Sequence, residues 1–516
     1  MEMTLGDAFS RSARKFPKKI ACMDESGSSS YESLNRRVCR WASALAGTGF
    51  RKGQHIATLS NNCIPLMEVY LGNLKQGIVT VPLDARGTVD DNVFQIESTD
   101  CEALIFHTSM SGKAEELRSR LPHIKRFIAF GGNAPGFSSD YEELLKAGTE
   151  IETSADLVEE DEAFILFTGG TTGLPKGAIL THKNLLWNTI CVTTENHSPA
   201  PDEKIYYTMQ MYHSAALSRF IAFMYAGGTF IGSSRFDPDR YLDVVERERT
   251  TFIIGNPTIF RMLLEANKNR RRDTSSIKRW LCAQGFLHPN LKEEIGASLF
   301  PGAACYGYYG LTEASPAVSV LKPWDKPSEW GSVGRPFMCT EVRIVDERDR
   351  DLPEGKEGEI IVKGPTVFKG YYNNPDETAR TLRGGWLHTG DVGRYDDLGY
   401  LYMVDRLKDM IKTGGINVYC REVEEILSLH PDISEAAIIG VPHPKWGESI
   451  RAVVVPREGC FLTEEAVIEH CRRNLSPHKK PTSVVFVKEL PKGSFGGKVL
   501  KRVLREQYGR EQVAGI

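Results

Sequence analysis

The sequence has no excess charge of one sign. Its 64 Lys and Arg residues face 67 Asp and Glu residues over 516 positions, a formal net charge of -3. Neither half is strongly basic, so the electrostatic footprint of a nucleic-acid binder is missing and no nucleic-acid partner is expected. The 11 cysteines are irregularly spaced and include no CxxC pair. That pattern excludes a zinc ribbon or disulfide scaffold and predicts reduced thiols in a cytoplasmic protein. Cys282, Cys305 and Cys420 read as small buried hydrophobes. No apolar run approaches the roughly 18 residues that span a bilayer, so no transmembrane segment is predicted. The first residues contain Glu2 and Asp7 and lack the apolar stretch of a secretory signal. The chain also has no low-complexity tract and no repeat of fixed period. The basic run from Lys268 to Arg272 reads as a solvated helix end or loop.

What is present is a length that favours more than one domain and a change of local style along the chain. The first part alternates short buried strands with helical segments. Thr4 to Lys15, Ser30 to Gly47 and Pro65 to Gly77 read as helices. His55 to Ser60, Ile78 to Leu83 and Ala103 to His107 read as strands. This order predicts an α/β fold with helices on a mostly parallel sheet. From about residue 330, short β-rich pieces follow one another, and Asp396 to Gly399 marks a hairpin turn. The last hundred residues mix helix (Glu422 to Leu429, Glu464 to Asn474) and strand (Ile433 to Val441, Ser449 to Val455, Ser483 to Val487). The expected architecture is a large N-terminal domain of parallel-rich sheets with helices, residues 1–405, including a β subdomain at about 330–405. A small mobile C-terminal α+β domain, 406–516, follows it.

The most informative stretch is Phe167-Thr168-Gly169-Gly170-Thr171-Thr172-Gly173-Leu174-Pro175-Lys176-Gly177. Four glycines, three threonines and a lysine fall within these eleven residues, directly after an apolar strand. Glycines allow close backbone approach, and successive N–H groups can cradle phosphate oxygens. The hydroxyls add donors and Lys176 adds a compact positive charge. The pattern is not that of a P-loop NTPase, because Pro175 precedes the lysine and Gly177 follows it.

This stretch resembles the phosphate-binding signature of the adenylate-forming superfamily, which includes acyl-CoA synthetases, luciferases and peptide-synthetase adenylation domains. Gly169 stands where that signature usually has serine, which removes one side-chain donor but keeps the backbone donor, so slower pyrophosphate chemistry is the most that is expected. Further segments follow in the family's order. Lys75-Gln76-Gly77 with Val81-Pro82-Leu83-Asp84 resembles a structural motif. Met211-Tyr212-His213-Ser214 resembles the segment whose histidine lines the acyl pocket, so His213 is a candidate catalytic residue. Ala283-Gln284-Gly285-Phe286-Leu287 takes the place of an adenine-contacting segment, with Gly285 at the base. Tyr309-Gly310-Leu311-Thr312-Glu313 resembles the motif in which the aromatic ring faces the base, the threonine bonds the α-phosphate and the glutamate binds Mg²⁺ together with Thr168. Gly385 to Asp391 resembles a further motif, which implies that Asp391 accepts from the ribose hydroxyls and that Arg406 adds a second ribose contact. Asp405 to Val418 resembles the hinge and the loop after it. There Lys408 is the pivot, Gly414 and Gly415 admit the pantetheine arm, and Lys412 and Asn417 approach nucleotide or acyl group. Leu490-Pro491-Lys492 and Gly496-Gly497-Lys498 mark Lys498 as the catalytic lysine.

The resemblance implies an acid–thiol ligase that uses ATP, Mg²⁺ and coenzyme A and proceeds through an acyl-adenylate. The partner is a small carboxylic acid, expected to be fatty or aryl because His213, Ser214, Leu217 and Phe286 offer no carboxylate for an amino group. A stand-alone adenylation enzyme that loads a carrier protein is the alternative, since both acceptors present pantetheine. Self-association into a homo-oligomer stays open.

Overall fold

The computed structural model describes residues 3–152, 155–169, 175–196, 198–283, 285, 287–492 and 499–509. The chain divides into two compact units. One comprises Met1–Val342, Ile361–His388 and Asp396–Leu401, and the other Arg343–Ile360, Thr389–Tyr395 and Tyr402–Ile516.

In the first unit, helix Leu5–Lys15 starts at Thr4, whose hydroxyl and the Asp7 carboxylate form a capping box. Asp7 in its first turn and Arg14 and Lys15 in its last complement the helix dipole. Helix Tyr31–Gly47 is capped by Ser30. Helix Ile64–Gln76 ends at Gly77, which is left-handed at φ 71°. One sheet is ordered Gly370–Tyr371, Lys176–Thr181, Glu162–Thr168, Val79–Pro82, His55–Leu59, Ala103–His107, Arg126–Phe130 and Ser139–Asp140. Its central strands pair in parallel. His55–Leu59 is buried throughout, which explains a continuous apolar run without alternation. A second sheet contains, in order, Ser332–Pro336, Ser319–Leu321, Ala304–Tyr309, Arg279–Cys282, Phe252–Gly255, Lys204–Tyr207, Thr229–Gly232, Ile20–Asp24 and Gly27–Ser30.

Two sequence expectations are corrected in this unit. Cys191 and Cys339 are joined in a disulfide across 148 residues, with Cα atoms 6.8 Å apart. Their spacing gave no hint, because tertiary packing alone brings them together. Cys282 is buried as expected and Cys305 partly so. In the basic run, residues 268–271 are exposed at the end of helix Pro257–Asn269, as read, but Arg272 is not solvated: its side chain is 1% exposed and pairs with Asp239 and Asp243. It also donates to the Ala266 and Arg270 carbonyls. A buried guanidinium is tolerated because every face finds an acceptor.

In the second unit, Ile433–His443 and Gly447–Pro456 form an antiparallel pair, and Ser483–Phe486 adds in parallel. Alternate residues of this pair face opposite layers. Ile438, Ile450, Ala452 and Val454 pack with Val423 and Leu427 of helix Cys420–Ser428 and Val467 and Cys471 of helix Glu464–Asn474. Ala437, Ile439, Val441 and Val453 pack with Leu490 and with Leu504 of helix Lys501–Tyr508. Covering both faces is why these strands read as solid apolar runs.

Candidate active site

The strand Glu162–Thr168 runs antiparallel to Lys176–Thr181, and Thr168 opposite Lys176 is their last pair. The glycine-rich stretch is therefore the connection of a hairpin; Gly170, Thr171, Thr172 and Gly173 lie outside the described residues, as does Lys498. Gly169 is exposed, and a Cβ there would meet no atom within 4 Å. The site has room for the family's serine.

Thr168 Oγ1 donates to Glu313 Oε1 at 3.1 Å. The Tyr371 hydroxyl donates to the same oxygen at 2.8 Å. Burial, followed by the adjacent Glu313 charge, pushes the Tyr371 phenol well up, so it stays a donor at neutral pH. Phe368 N–H donates to the Glu313 carbonyl at 2.9 Å, which fixes the backbone of a residue only 9% exposed. The preceding residue bonds elsewhere: Thr312 Oγ1 and Ser214 Oγ are 2.9 Å apart. Ser214 opens helix Ser214–Ala226, with His213 at the cap position. The His213 ring lies 4.7 Å from that of Tyr212. Consecutive residues 312 and 313 thus tie a helix N-terminus to the end of the glycine-rich hairpin.

Gly310 permits this turn. A Cβ there would fall 1.5 Å from the Pro316 carbonyl oxygen, so any other residue would force the Thr312–Glu313 segment apart. Tyr309 ends strand Ala304–Tyr309 and is 9% exposed. Gly285 is exposed, with Pro257 its nearest neighbour. Lys176 Nζ pairs with Glu377, lies 5.2 Å from the Tyr371 ring centroid, and is largely buried. Sequence reasoning missed both Tyr371 and Glu377. The signal for Glu377 was Asn374-Pro375-x-Glu377, an N-cap followed by proline and a first-turn acid, which starts helix Pro375–Thr381. Nothing local marks Tyr371.

The second unit holds the other motif residues. Asp391 is 2% exposed, and Arg406 Nε lies 3.2 Å from its Oδ1. Lys412 and Asn417 face each other in the hairpin of Ile411–Thr413 and Ile416–Val418, and Gly414 and Gly415 form its turn. Gly414 sits at φ 58°, and a Cβ there would come within 2.9 Å of the Trp446 ring. Lys408 is exposed. Around it, Arg505 pairs with Asp409 at 3.0 Å and reaches the Lys408 carbonyl at 3.4 Å. Lys501 pairs with Glu424 at 2.7 Å. These C-terminal partners carried no motif signal.

The donors at Glu313 and Thr168 are hard oxygens, which suits Mg²⁺. Among the described residues there is no cluster of three or more acidic, His or Cys side chains, so an ion there would need phosphate oxygens to complete its shell. A separate surface depression of about 570 Å³ lined by Glu97, Asp100, Cys101, Glu102, His123, Lys125 and Arg126 contains none of the motif residues.

Known proteins resemble this chain over nearly its whole length. The model of the AMP-binding enzyme family matches residues 9–372, and that of the AMP-binding enzyme C-terminal domain matches residues 422–496. The chain is 35% identical over 500 residues to a feruloyl-CoA synthase of Amycolatopsis sp, covering 97% of this chain and 98% of that one. It is 32% identical to a long-chain-fatty-acid–CoA ligase of Bacillus subtilis (strain 168), covering 98% and 94%. The crystal structure of ATP-bound MatB from Rhodopseudomonas palustris superposes with a TM-score of 0.88 at 30% identity, covering 98% and 99%. Among the described residues, no helix is long and apolar enough to cross a membrane.

Proposed function

We propose, from the premise that the chain belongs to the AMP-binding enzyme family and is an AMP-forming acid–CoA ligase, that the adjacent pair Thr312 and Glu313 is where its acid and its ATP meet. The observation that carries this is the divergence of their bonds. Thr312 joins Ser214 on the acyl side, and Glu313 joins Thr168 on the phosphate side. An in-line displacement needs the attacking oxygen and the phosphorus held together.

In the first half-reaction a carboxylate oxygen of the acid attacks the α-phosphorus. The bond to the bridging oxygen of pyrophosphate breaks, and the acyl-adenylate remains. Charge accumulates on the phosphate oxygens. Backbone amides of the hairpin 168–177, the Thr312 hydroxyl, Lys176 once released from Glu377, and Lys498 stabilise it. Glu313 and Thr168 would hold Mg²⁺, which would supply charge neutralisation at the phosphates. Tyr309 and Gly285 line the base. Asp391 accepts from the ribose hydroxyls, oriented by Arg406, and Lys412 and Asn417 approach the nucleotide. His213 borders the acyl group.

In the second half-reaction the CoA sulfur attacks the acyl carbon, the bond to the phosphate oxygen breaks, and AMP leaves while the thiol proton passes to solvent. Residues 406–516 act as a mobile domain pivoting at Lys408 against 1–405. The pivot exchanges Lys498 for the Gly414–Gly415 turn, which leaves room for pantetheine.

ATP–pyrophosphate exchange with a panel of aliphatic and aryl acids, followed by addition of free CoA, tests this. Acid-dependent exchange without CoA and thioester only with CoA are expected. Exchange that needs CoA, or none with any acid, would overturn the two-step scheme.

A further inference from the structure

Helix Ser214–Ala226 begins at the reaction centre and carries a charge inside. His213, Ser214 and Ala215 are partly open, whereas the next turn is buried. Arg219 lies one turn beyond Ala215 on the same stripe and is 5% exposed. From Ser214 to Arg219 the helix rises about 7.5 Å. Its guanidinium stacks 4.8 Å from the ring centroid of Tyr308 and 6.0 Å from that of Phe252. Tyr308 directly precedes Tyr309. Its ring is partly open, but its hydroxyl is enclosed.

Among the described residues no carboxylate pairs with Arg219. Glu195, an acid on a helix packed beside this one, is engaged by Lys322 and by the Met338 N–H. Aromatic faces satisfy the plane of a guanidinium but not its in-plane N–H donors. Arg219 NH1 is enclosed without a hydrogen-bond partner, and so is the Tyr308 hydroxyl. Two neighbouring polar groups that are enclosed with no hydrogen-bond partner of good geometry are costly unless a ligand supplies an acceptor. Arg272 shows the contrast: equally buried, it has four protein partners.

We infer that Arg219 and Tyr308 form the floor of the acyl pocket and select an acid whose far end carries an oxygen acceptor, a second carboxylate or a ring hydroxyl. This rests on the ligase reading above and refines the expectation of an apolar acid. The helix rise places the acceptor several bonds from the reacting carboxylate, a span that a para-substituted arylpropenoate or a six-carbon dicarboxylate fills.

The test compares matched acids that differ only at that end: cinnamate against 4-hydroxycinnamate and 4-carboxycinnamate, and hexanoate against hexanedioate. Acid-dependent pyrophosphate exchange gives kcat/KM for each. The wild type should favour an acceptor-bearing acid over its plain partner at least tenfold, since a site built to bond a substrate oxygen rejects the analogue without it. The hydroxyl and carboxylate arms tell which acceptor it takes. Arg219→Met should invert the ratio, and Tyr308→Phe, which keeps the ring, should reduce it. A wild type that treats partners equally or prefers the plain acids overturns the inference even if Arg219→Met fails to fold. Equal losses on both partners in Arg219→Met and Tyr308→Phe overturn it as well, leaving Arg219 a packing residue. Exchange with no acid at all strikes the ligase reading itself, whereas exchange with plain acids alone strikes only the selection by Arg219.

Discussion

The Glu313 and Thr312 side chains are held by hydroxyls, whereas the side chains around Lys408 are held by charges. Glu313 receives Thr168 and Tyr371, and Thr312 meets Ser214, with no ion pair among them. In the second unit, Arg505 pairs with Asp409, Lys501 with Glu424 and Arg421 with Glu425. Asp405 accepts from the Arg406 and Arg421 N–H groups. Neutral hydroxyl donors orient a carboxylate without cancelling its charge, which leaves that charge available to an incoming cation. Ion pairs between long side chains cancel charge and can re-form with other partners after a rotation. The first arrangement suits a fixed electrostatic centre and the second a joint.

The comparison breaks most visibly if the chemistry depends on neither. Lys498→Ala should slow pyrophosphate exchange by on the order of 10²–10³, as for loss of a charged donor to the transition state. Thioester formation from supplied acyl-adenylate should persist. Equal loss in both steps, measured by quenched-flow assay, would show that the tail lysine does not belong to one half-reaction.

Glu313→Gln sharpens the first half of the comparison. The amide oxygen still accepts from Thr168 and Tyr371, so packing and melting temperature should hold within a few degrees. The negative charge is gone, and exchange should fall about 10²-fold with a raised Mg²⁺ requirement. A melting temperature that collapses instead would mean that the carboxylate is structural.

Much of this organisation was legible in the sequence, for a physical reason. Helix Glu464–Asn474 falls where it was read, because Thr463 caps it and acids open it. The hairpin turn at Asp396 holds because that carboxylate accepts from the Leu398 and Tyr400 N–H groups. Motif order singled out Thr168, Thr312, Glu313 and Asp391 as candidates. Their partners were not legible. Tyr371 reaches Glu313 across 58 residues and Glu377 reaches Lys176 across 201. Such pairs are set by sheet register, to which local spacing is blind. Arg219 was hidden for the opposite reason: inside an apolar helix it carries no pattern, and only its burial without an acceptor marks it. The disulfide between Cys191 and Cys339 is equally invisible to spacing.

The smallest effect expected is at Arg505, and it tests the joint directly. Helix Lys501–Tyr508 has eight residues, too few to persist alone. Leu504, fully buried, anchors it to the sheet, and burying such a side chain contributes about 1.5–3 kcal/mol. Lys501 and Arg505 then fasten it to Glu424 and to Asp409, next to the proposed pivot. Arg505→Ala removes a partly exposed ion pair, which costs about 0.2–1 kcal/mol and leaves the fold intact. It also frees the Lys408 carbonyl from its guanidinium contact. If this clamp favours the arrangement in which it is seen, its loss shifts the balance between the two half-reactions by a few-fold, in opposite directions, with the melting temperature nearly unchanged. Separate assays of adenylation and thioester formation read that split. Parallel changes in both steps would reduce the clamp to ordinary surface charge.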